Sequence, residues 1–156
     1  MAKVDIYIAD DGIGPGIQER CAGYYITCKG FGIHGTLSFM ATENNVIINA
    51  MIAALDRFTR PADITIHIES EWIIGRVTRI EGKDGIPENN LDIWQRNGWK
   101  TARGTEVKNR GDWQRLYNKM RVFENSGATF RFEKFSKDSE QYSKVQTIIK
   151  NAKERS

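Results

Sequence analysis

Three consecutive strand-like segments open the chain and constrain its fold more than any other feature. Residues 3 to 9 alternate polar and apolar side chains, and the turn-forming strings Asp10-Asp11-Gly12 and Gly14-Pro15-Gly16 follow them. Residues 20 to 28 and 32 to 40 are two further segments of this kind, separated only by Lys29-Gly30. Because so short a connection closes a hairpin, the sequence predicts a sheet that begins with antiparallel strands.

The pattern then becomes helical from Glu43 to Phe58, with Thr42 placed to cap the helix. A β-branched strand at 63–69 follows, and Ser70 opens a short helix. The remaining predicted segments are a loop at 81–90, helical turns at 91–95, a basic turn, a helix at 112–123, a strand at 128–135 and a helix at 138–150. This order predicts an α/β fold, a mixed five-stranded sheet flanked by helices, in a single domain over residues 1–156.

Composition excludes several classes of protein. No segment approaches the roughly 20 apolar residues that a membrane span needs. The start of the chain has none of the features of a secretory leader, so we expect a cytoplasmic protein. Cys21 and Cys28 form neither a disulfide pattern nor a metal motif, and His34 and His67 stand singly in strands, where packed imidazoles are the ordinary interpretation.

Positive charge is concentrated in one segment. Residues 96–121 contain eight basic and two acidic residues, although the whole chain carries only +3. Trp99, Trp113 and Tyr117 are interspersed among these charges. The segment has two interpretations: a surface that attracts a phosphate backbone and stacks on sugars or bases, or a solvated helix face with buried tryptophans.

The most specific motif runs from Gly98-Trp99-Lys100-Thr101-Ala102 through Val107-Lys108-Asn109 to Asp112-Trp113-Gln114-Arg115-Leu116. Together with the element order, it resembles type 1 ribonuclease H over nearly the whole chain. The motif is similar to the family's basic protrusion and the helix after it, which contact the DNA strand of an RNA–DNA hybrid. The resemblance implies nucleic-acid contacts by Trp99, Lys100, Thr101, Arg103 and Lys108.

Two other stretches are similar to the same family. Strand one, Asp10 and Gly14-Pro15-Gly16 resemble the family's first strand, its aspartate and its glycine-proline turn. Thr42-Glu43-Asn44-Asn45 resembles the family's Thr-Thr-Asn-Asn helix entry, which implies hybrid-backbone contacts by Asn44 and Asn45. Glu43 departs from the pattern, and a carboxylate in place of a phosphate-binding threonine is expected to repel phosphate.

The resemblance also implies cleavage of RNA by two metal ions, Mg²⁺ or Mn²⁺, held by four carboxylates. A gapless alignment puts Ala9 at the strand-one position, and one extra residue brings Asp10 or Asp11 there. Ile48 stands where the family has its helix glutamate. Glu69 keeps the charge at the end of strand four, with one more methylene.

The fourth position, on the last helix, falls near Val145, with Asp138 and Glu140 at least one turn earlier, and the family's histidine loop has no histidine here. The resemblance therefore leaves Asp10 and Glu69 as candidate catalytic residues, and Asp10, Asp11 and Glu69 as candidate metal ligands. Acidic residues at strand ends also commonly cap turns or helices, so a purely structural role stays open for each of them.

Three hypotheses follow. The preferred one is a ribonuclease H-like protein that binds RNA–DNA hybrid or duplex and has weak or absent nuclease activity. The second is an active metal-dependent hybrid ribonuclease with a rearranged carboxylate site, built from Asp10 and Glu69 with Asp11 or Asp138. The third is a protein-interaction module that kept the fold and lost nucleic acid.

Overall fold

The structure is a computed structural model that describes residues 1–155. Its strands are β1 (Lys3–Asp10), β2 (Gln18–Cys28), β3 (Phe31–Ala41), β4 (Asp63–Ile68), β5 (Ile80–Glu81), β6 (Pro87–Glu88) and β7 (Thr129–Lys134). Its helices are α1 (Glu43–Leu55), α2 (Glu71–Val77), α3 (Asn90–Arg96), α4 (Arg110–Asn125) and α5 (Glu140–Arg155).

The main sheet has five strands in the order β3-β2-β1-β4-β7. β1, β2 and β3 pair antiparallel, as the short connection at Lys29-Gly30 predicted. β4 pairs parallel with β1 and with β7, because helices connect these strands. The predicted mixed five-stranded sheet is confirmed.

Each face of this sheet carries its own apolar core. Val4, Ile6 and Ile8 of β1 point into a large core that also contains buried side chains of α1, α2, α3 and α4. The opposite face of the sheet is covered by α5, whose Val145 and Ile149 pack in a smaller core. Strand alternation therefore sends neighbouring residues at the end of β1 to opposite sides of the sheet.

Local capping sets where the two central helices begin. The side chain of Thr42 accepts a hydrogen bond from the backbone N–H of Asn45, and that of Ser70 accepts one from Ile73, as predicted. Some boundaries differ from those predicted: α1 ends at Leu55 rather than Phe58, and α5 runs from Glu140 to Arg155. The loop at 81–90 contains the small β5–β6 hairpin. No helix within residues 1–155 is long and apolar enough to cross a membrane.

Candidate nucleic-acid interface and carboxylate cleft

Three carboxylates meet at one end of the sheet. Asp10 is the last residue of β1, Glu43 is the first residue of α1, and Glu69 directly follows β4. Together with Asn44 and Ser70 they line a cleft of about 270 Å³. We call this the carboxylate cleft. Sequence reasoning identified Asp10 and Glu69 but did not associate Glu43 with them, because Glu43 is brought there by the fold of the β3–α1 connection.

Asp10 and Asp11 point to opposite faces of the sheet. Asp10 lines the carboxylate cleft. Asp11 accepts a 3.1 Å hydrogen bond from the backbone of Cys21 and forms a 2.8 Å ion pair with Lys153 of α5. Asp11 is therefore occupied by structural contacts on the α5 side, whereas Asp10 is presented to the cleft.

A buried arginine, which sequence reasoning did not single out, lies behind Asp10. Arg20 is 0% exposed, and its guanidinium donates to the carbonyls of Ala41 at 2.8 Å and Gly16 at 2.7 Å and to that of Gly14. Its Nη1 atom lies 3.5 Å from Asp10 Oδ2. Arg20 thus ties the Gly14–Gly16 turn to the end of β3 and supplies a permanent positive charge beside Asp10.

The carboxyl group of Asp10 is disfavoured as an anion. Burial raises its pKa, and the neighbouring charges of Glu43, Asp11 and Glu69 raise it further, while Arg20 opposes them. The net direction is upward, so Arg20 only partly offsets desolvation and like-charge repulsion. Within the described residues, Asp10 Oδ2 is also buried without a hydrogen-bond partner.

The donor set does not fit the two-ion centre that the family resemblance implies. Ile48, at the position of the helix carboxylate, is fully buried in the large core and has no metal-binding atom. Among residues 1–155, no group of three or more Asp, Glu, His or Cys side chains is arranged to hold a metal ion. Because a hard divalent ion needs several oxygen ligands in near-ideal geometry, Asp10 and Glu69 form an incomplete centre.

The last helix places a tyrosine, not a carboxylate, near Glu69. Val145, at the position carried over for the family aspartate, is fully buried in the smaller core. One turn earlier, Tyr142 lies near Glu69, whose negative charge helps raise the pKa of the tyrosine hydroxyl. Gln146 donates a 3.0 Å hydrogen bond to the backbone carbonyl of Asp10. Asp138 is exposed and is not among the residues that line the cleft, and Lys137 Nζ lies 3.5 Å from Glu69 Oε2.

Tyr142 is expected to remain protonated to unusually high pH. Burial, with the negative charges of Glu69 and Asp10, raises its pKa to about 12. Since the folded pKa lies above the unfolded value of 10.0, the stability that this group contributes is fully present below pH 10 and is lost as the pH rises through 12. An ultraviolet titration of the Tyr142→Phe variant should lack one tyrosinate transition near pH 12. An unchanged upper transition would contradict this assignment.

The first half of the basic segment forms a tight loop between α3 and α4, residues 97–109, which we call the basic loop. Lys100 and Glu106 form a β-bridge, and the Thr101 and Thr105 hydroxyls lie 2.7 Å apart. The side chains of Lys100, Arg103 and Lys108 are exposed, and no ion pair engages them within the described part of the chain. Three free cations thus project from one ordered loop.

Trp99 lies inside the protein. Its ring is only 4% exposed and packs against Trp94 at 6.3 Å and Tyr117 at 5.9 Å between centroids, and its Nε1 donates to Gln95. Trp94 in turn lies 5.7 Å from Trp113. This arrangement favours the buried-tryptophan interpretation for Trp99, because a ring enclosed on its faces has no surface to offer to a base.

The other residues predicted to contact nucleic acid differ in how far their side chains are already engaged within the protein. Asn44 lines the carboxylate cleft and is half-buried. The side-chain amide of Asn45 donates to Asp112 of α4, and Arg115 bridges Asp112 at 2.5 Å and Asn49 at 2.7 Å. Thr101 is exposed, but its hydroxyl is shared with Thr105. α1 and α4 are therefore joined by a polar network next to the basic loop, and Asn44 is the freer of the two asparagines.

Three features can be compared with known proteins: the mixed five-stranded sheet, the carboxylates at the ends of β1 and β4, and the basic loop before α4. The family model for RNase H matches residues 6–132. The ribonuclease H of Oleidesulfovibrio alaskensis is 32% identical over 121 residues, covering 74% of this chain and 70% of that protein. The ribonuclease H of Clostridium botulinum is 32% identical over 120 residues, covering 74% of each.

Solved structures agree at the level of the fold. Ribonuclease H1 from Halobacterium salinarum superposes with a TM-score of 0.57 at 16% identity and covers 99% of both chains. LC11 ribonuclease H1, solved in complex with an RNA/DNA hybrid, gives a TM-score of 0.57 at 14% identity, covering 96% of this chain and 98% of that one. The chain belongs to the ribonuclease H family.

Proposed function

We propose that this protein binds RNA–DNA hybrid through the basic loop and the start of α1, and cleaves the hybrid weakly or not at all. The observation that supports this most directly is the pairing of two features. Lys100, Arg103 and Lys108 are exposed and form no ion pair with any residue from 1 to 155, whereas the helix position of the carboxylate centre is the buried Ile48.

The binding half of the proposal rests on charge. A phosphate backbone releases its bound counterions when protein lysines or arginines take their place. The three exposed cationic side chains on the basic loop therefore provide an attraction that depends on salt and not on sequence. Asn44 supplies an amide that can hydrogen-bond to a phosphate or sugar oxygen. Glu43 beside it is exposed and negative, so the hybrid backbone is expected to pass closer to the basic loop than to the carboxylate cleft.

The catalytic half rests on the donor set. Asp10, one residue away from the family's strand-one position, and Glu69 face the cleft, and Asp11 is held by Lys153 and the Cys21 backbone. On the last helix, where the family resemblance implies an aspartate, the carried-over position is the buried Val145. With two carboxylates of the four, we expect no efficient two-ion chemistry.

A second candidate is supported by Glu43. Its side chain shares the cleft with Asp10 and Glu69, and it is the strongest charged influence on Asp10. An active, metal-dependent hybrid ribonuclease with a rearranged site would use this glutamate in place of the missing helix carboxylate. In that case Glu43→Gln would remove cleavage. Under the preferred proposal, the same change removes a repulsive charge and improves hybrid binding.

One experiment separates the two candidates. A labelled RNA–DNA hybrid is incubated with the protein and Mg²⁺ or Mn²⁺, and both binding and cleavage are followed for the wild type and for Asp10→Asn, Glu43→Gln and Glu69→Gln. We expect binding in all four and at most slow cleavage, which Glu69→Gln abolishes. Rapid wild-type cleavage that Glu43→Gln abolishes would establish the rearranged nuclease. Absence of hybrid binding at moderate salt would reject both and favour a protein-interaction module.

A further inference from the structure

The outer edge of β3 is unpaired. β3 (Phe31–Ala41) ends the sheet order, and within the described residues no other strand lies beside it. It is as long as β2, with which it pairs along its whole length. A long strand at a sheet edge offers a row of backbone donors and acceptors to any incoming strand.

The sequence of this edge has none of the usual protection against pairing. None of its eleven residues is charged and none is proline. The opposite edge strand, β7, carries Arg131, Glu133 and Lys134 among six residues. Since charges on an edge discourage pairing, the contrast marks β3 as the edge that is open to a partner.

The order of side chains along β3 is symmetric about Gly35. Phe31 and Phe39 lie four residues on either side of it, and Ile33 and Leu37 lie two residues on either side. On the other face, His34 and Thr36 flank Gly35 directly. An antiparallel pairing of β3 with a second β3, centred on Gly35, would therefore set Phe31 against Phe39 and Ile33 against Leu37 in both halves.

Two apolar side chains in the first half of β3 are exposed at the edge where a second strand would pair. Phe31 is 80% exposed and Ile33 is 42% exposed, and both line an apolar groove of about 310 Å³ beside Phe58 and Pro61. In the register centred on Gly35, these two β3 residues would meet Phe39 and Leu37 of the second copy, which are half-buried.

We propose that β3 is an interface at which two copies of this chain associate about a two-fold axis through Gly35, joining two five-stranded sheets. An isologous contact requires a surface that is complementary to itself, and the symmetric, uncharged β3 meets that requirement. The carbonyl of His34 accepts a 3.4 Å hydrogen bond from the exposed Arg57, a long contact that an incoming strand can replace.

The test is the oligomeric state of the full chain by sedimentation equilibrium. The wild type should show a concentration-dependent dimer. Thr36→Lys places two like charges close to the axis at an exposed position, and it should weaken dimerisation by about tenfold or more. Thr147→Lys, the same change on an exposed position of α5, is the matched control and should leave the dimer intact. A monomer at all concentrations, or a dimer that Thr36→Lys does not weaken, would overturn the proposal.

Cross-linking tests the register independently of the charge effect. In the proposed pairing, residue 34 of one copy faces residue 36 of the other. A mixture of His34→Cys and Thr36→Cys chains should form a disulfide-linked pair under mild oxidation. A mixture of Thr36→Cys and Met40→Cys chains should not. Equal linkage in both mixtures, or linkage only in the second, would reject the two-fold axis at Gly35.

Discussion

Replacing Lys100, Arg103 and Lys108 together by alanine is expected to reduce hybrid affinity roughly 100-fold at low salt. Each cation that contacts a phosphate contributes about 0.9 to the slope of log affinity against log salt, so the slope should fall by about three. The measurement is a hybrid-binding isotherm at several salt concentrations. The three residues are exposed and form no ion pair in the described part of the chain, so the stability of the fold should not change.

A matched control removes the same amount of charge elsewhere. Lys3, Lys83 and Lys150 are also exposed, and they lie outside the basic loop. Their triple alanine variant has the same net charge as the first, so it should retain the wild-type salt slope and most of the affinity. If both variants lose affinity equally, net charge rather than the basic loop drives binding.

Replacing Trp99 by alanine is expected to lower the free energy of unfolding by about 3–5 kcal/mol, because the ring is buried and its removal leaves a cavity between Trp94 and Tyr117. Chemical denaturation measures this loss. Trp72→Ala is the control: that ring is 49% exposed and should cost much less.

Hybrid binding by the same variants distinguishes the two roles of Trp99. Trp99→Phe keeps an aromatic ring in the cluster and should bind hybrid with nearly wild-type affinity. A Trp99→Ala protein that stays as stable as the wild type but loses hybrid binding would instead indicate direct stacking on nucleic acid.

Alternation and capping made most of the fold predictable from sequence. Ile64, Ile66 and Ile68 of the predicted β-branched strand are buried on one face of β4, and Thr42 and Ser70 cap the helices that follow them. These signals are local, so each can be detected within a few residues. The ends of helices were less predictable: after α1, the backbone N–H groups of Arg57 and Phe58 donate to carbonyls three residues back, in a tighter turn that continues the apolar pattern beyond the helix.

The candidate site was predictable only in part, because its remaining members come from separate elements. Asp10 and Glu69 end strands and were found from that position. Glu43 was interpreted by its charge alone, and Arg20 was missed since a single arginine in a strand carries no sign of burial. Tyr142 lies in the helix predicted at 138–150, but only the fold brings it close to Glu69.

The aromatic packing beneath the basic loop affects the thermodynamics expected for hybrid binding. Both ends of the loop are anchored in the interior, by Trp99 and Val107, and the backbone N–H of Val107 donates to the Trp99 carbonyl at 3.0 Å. A segment that is already ordered loses little backbone entropy when it docks, so mainly the three long cationic side chains are immobilised. Preorganisation of this kind leaves the entropy gained from released counterions largely undiminished, and a short loop with few charges can therefore make an effective contact.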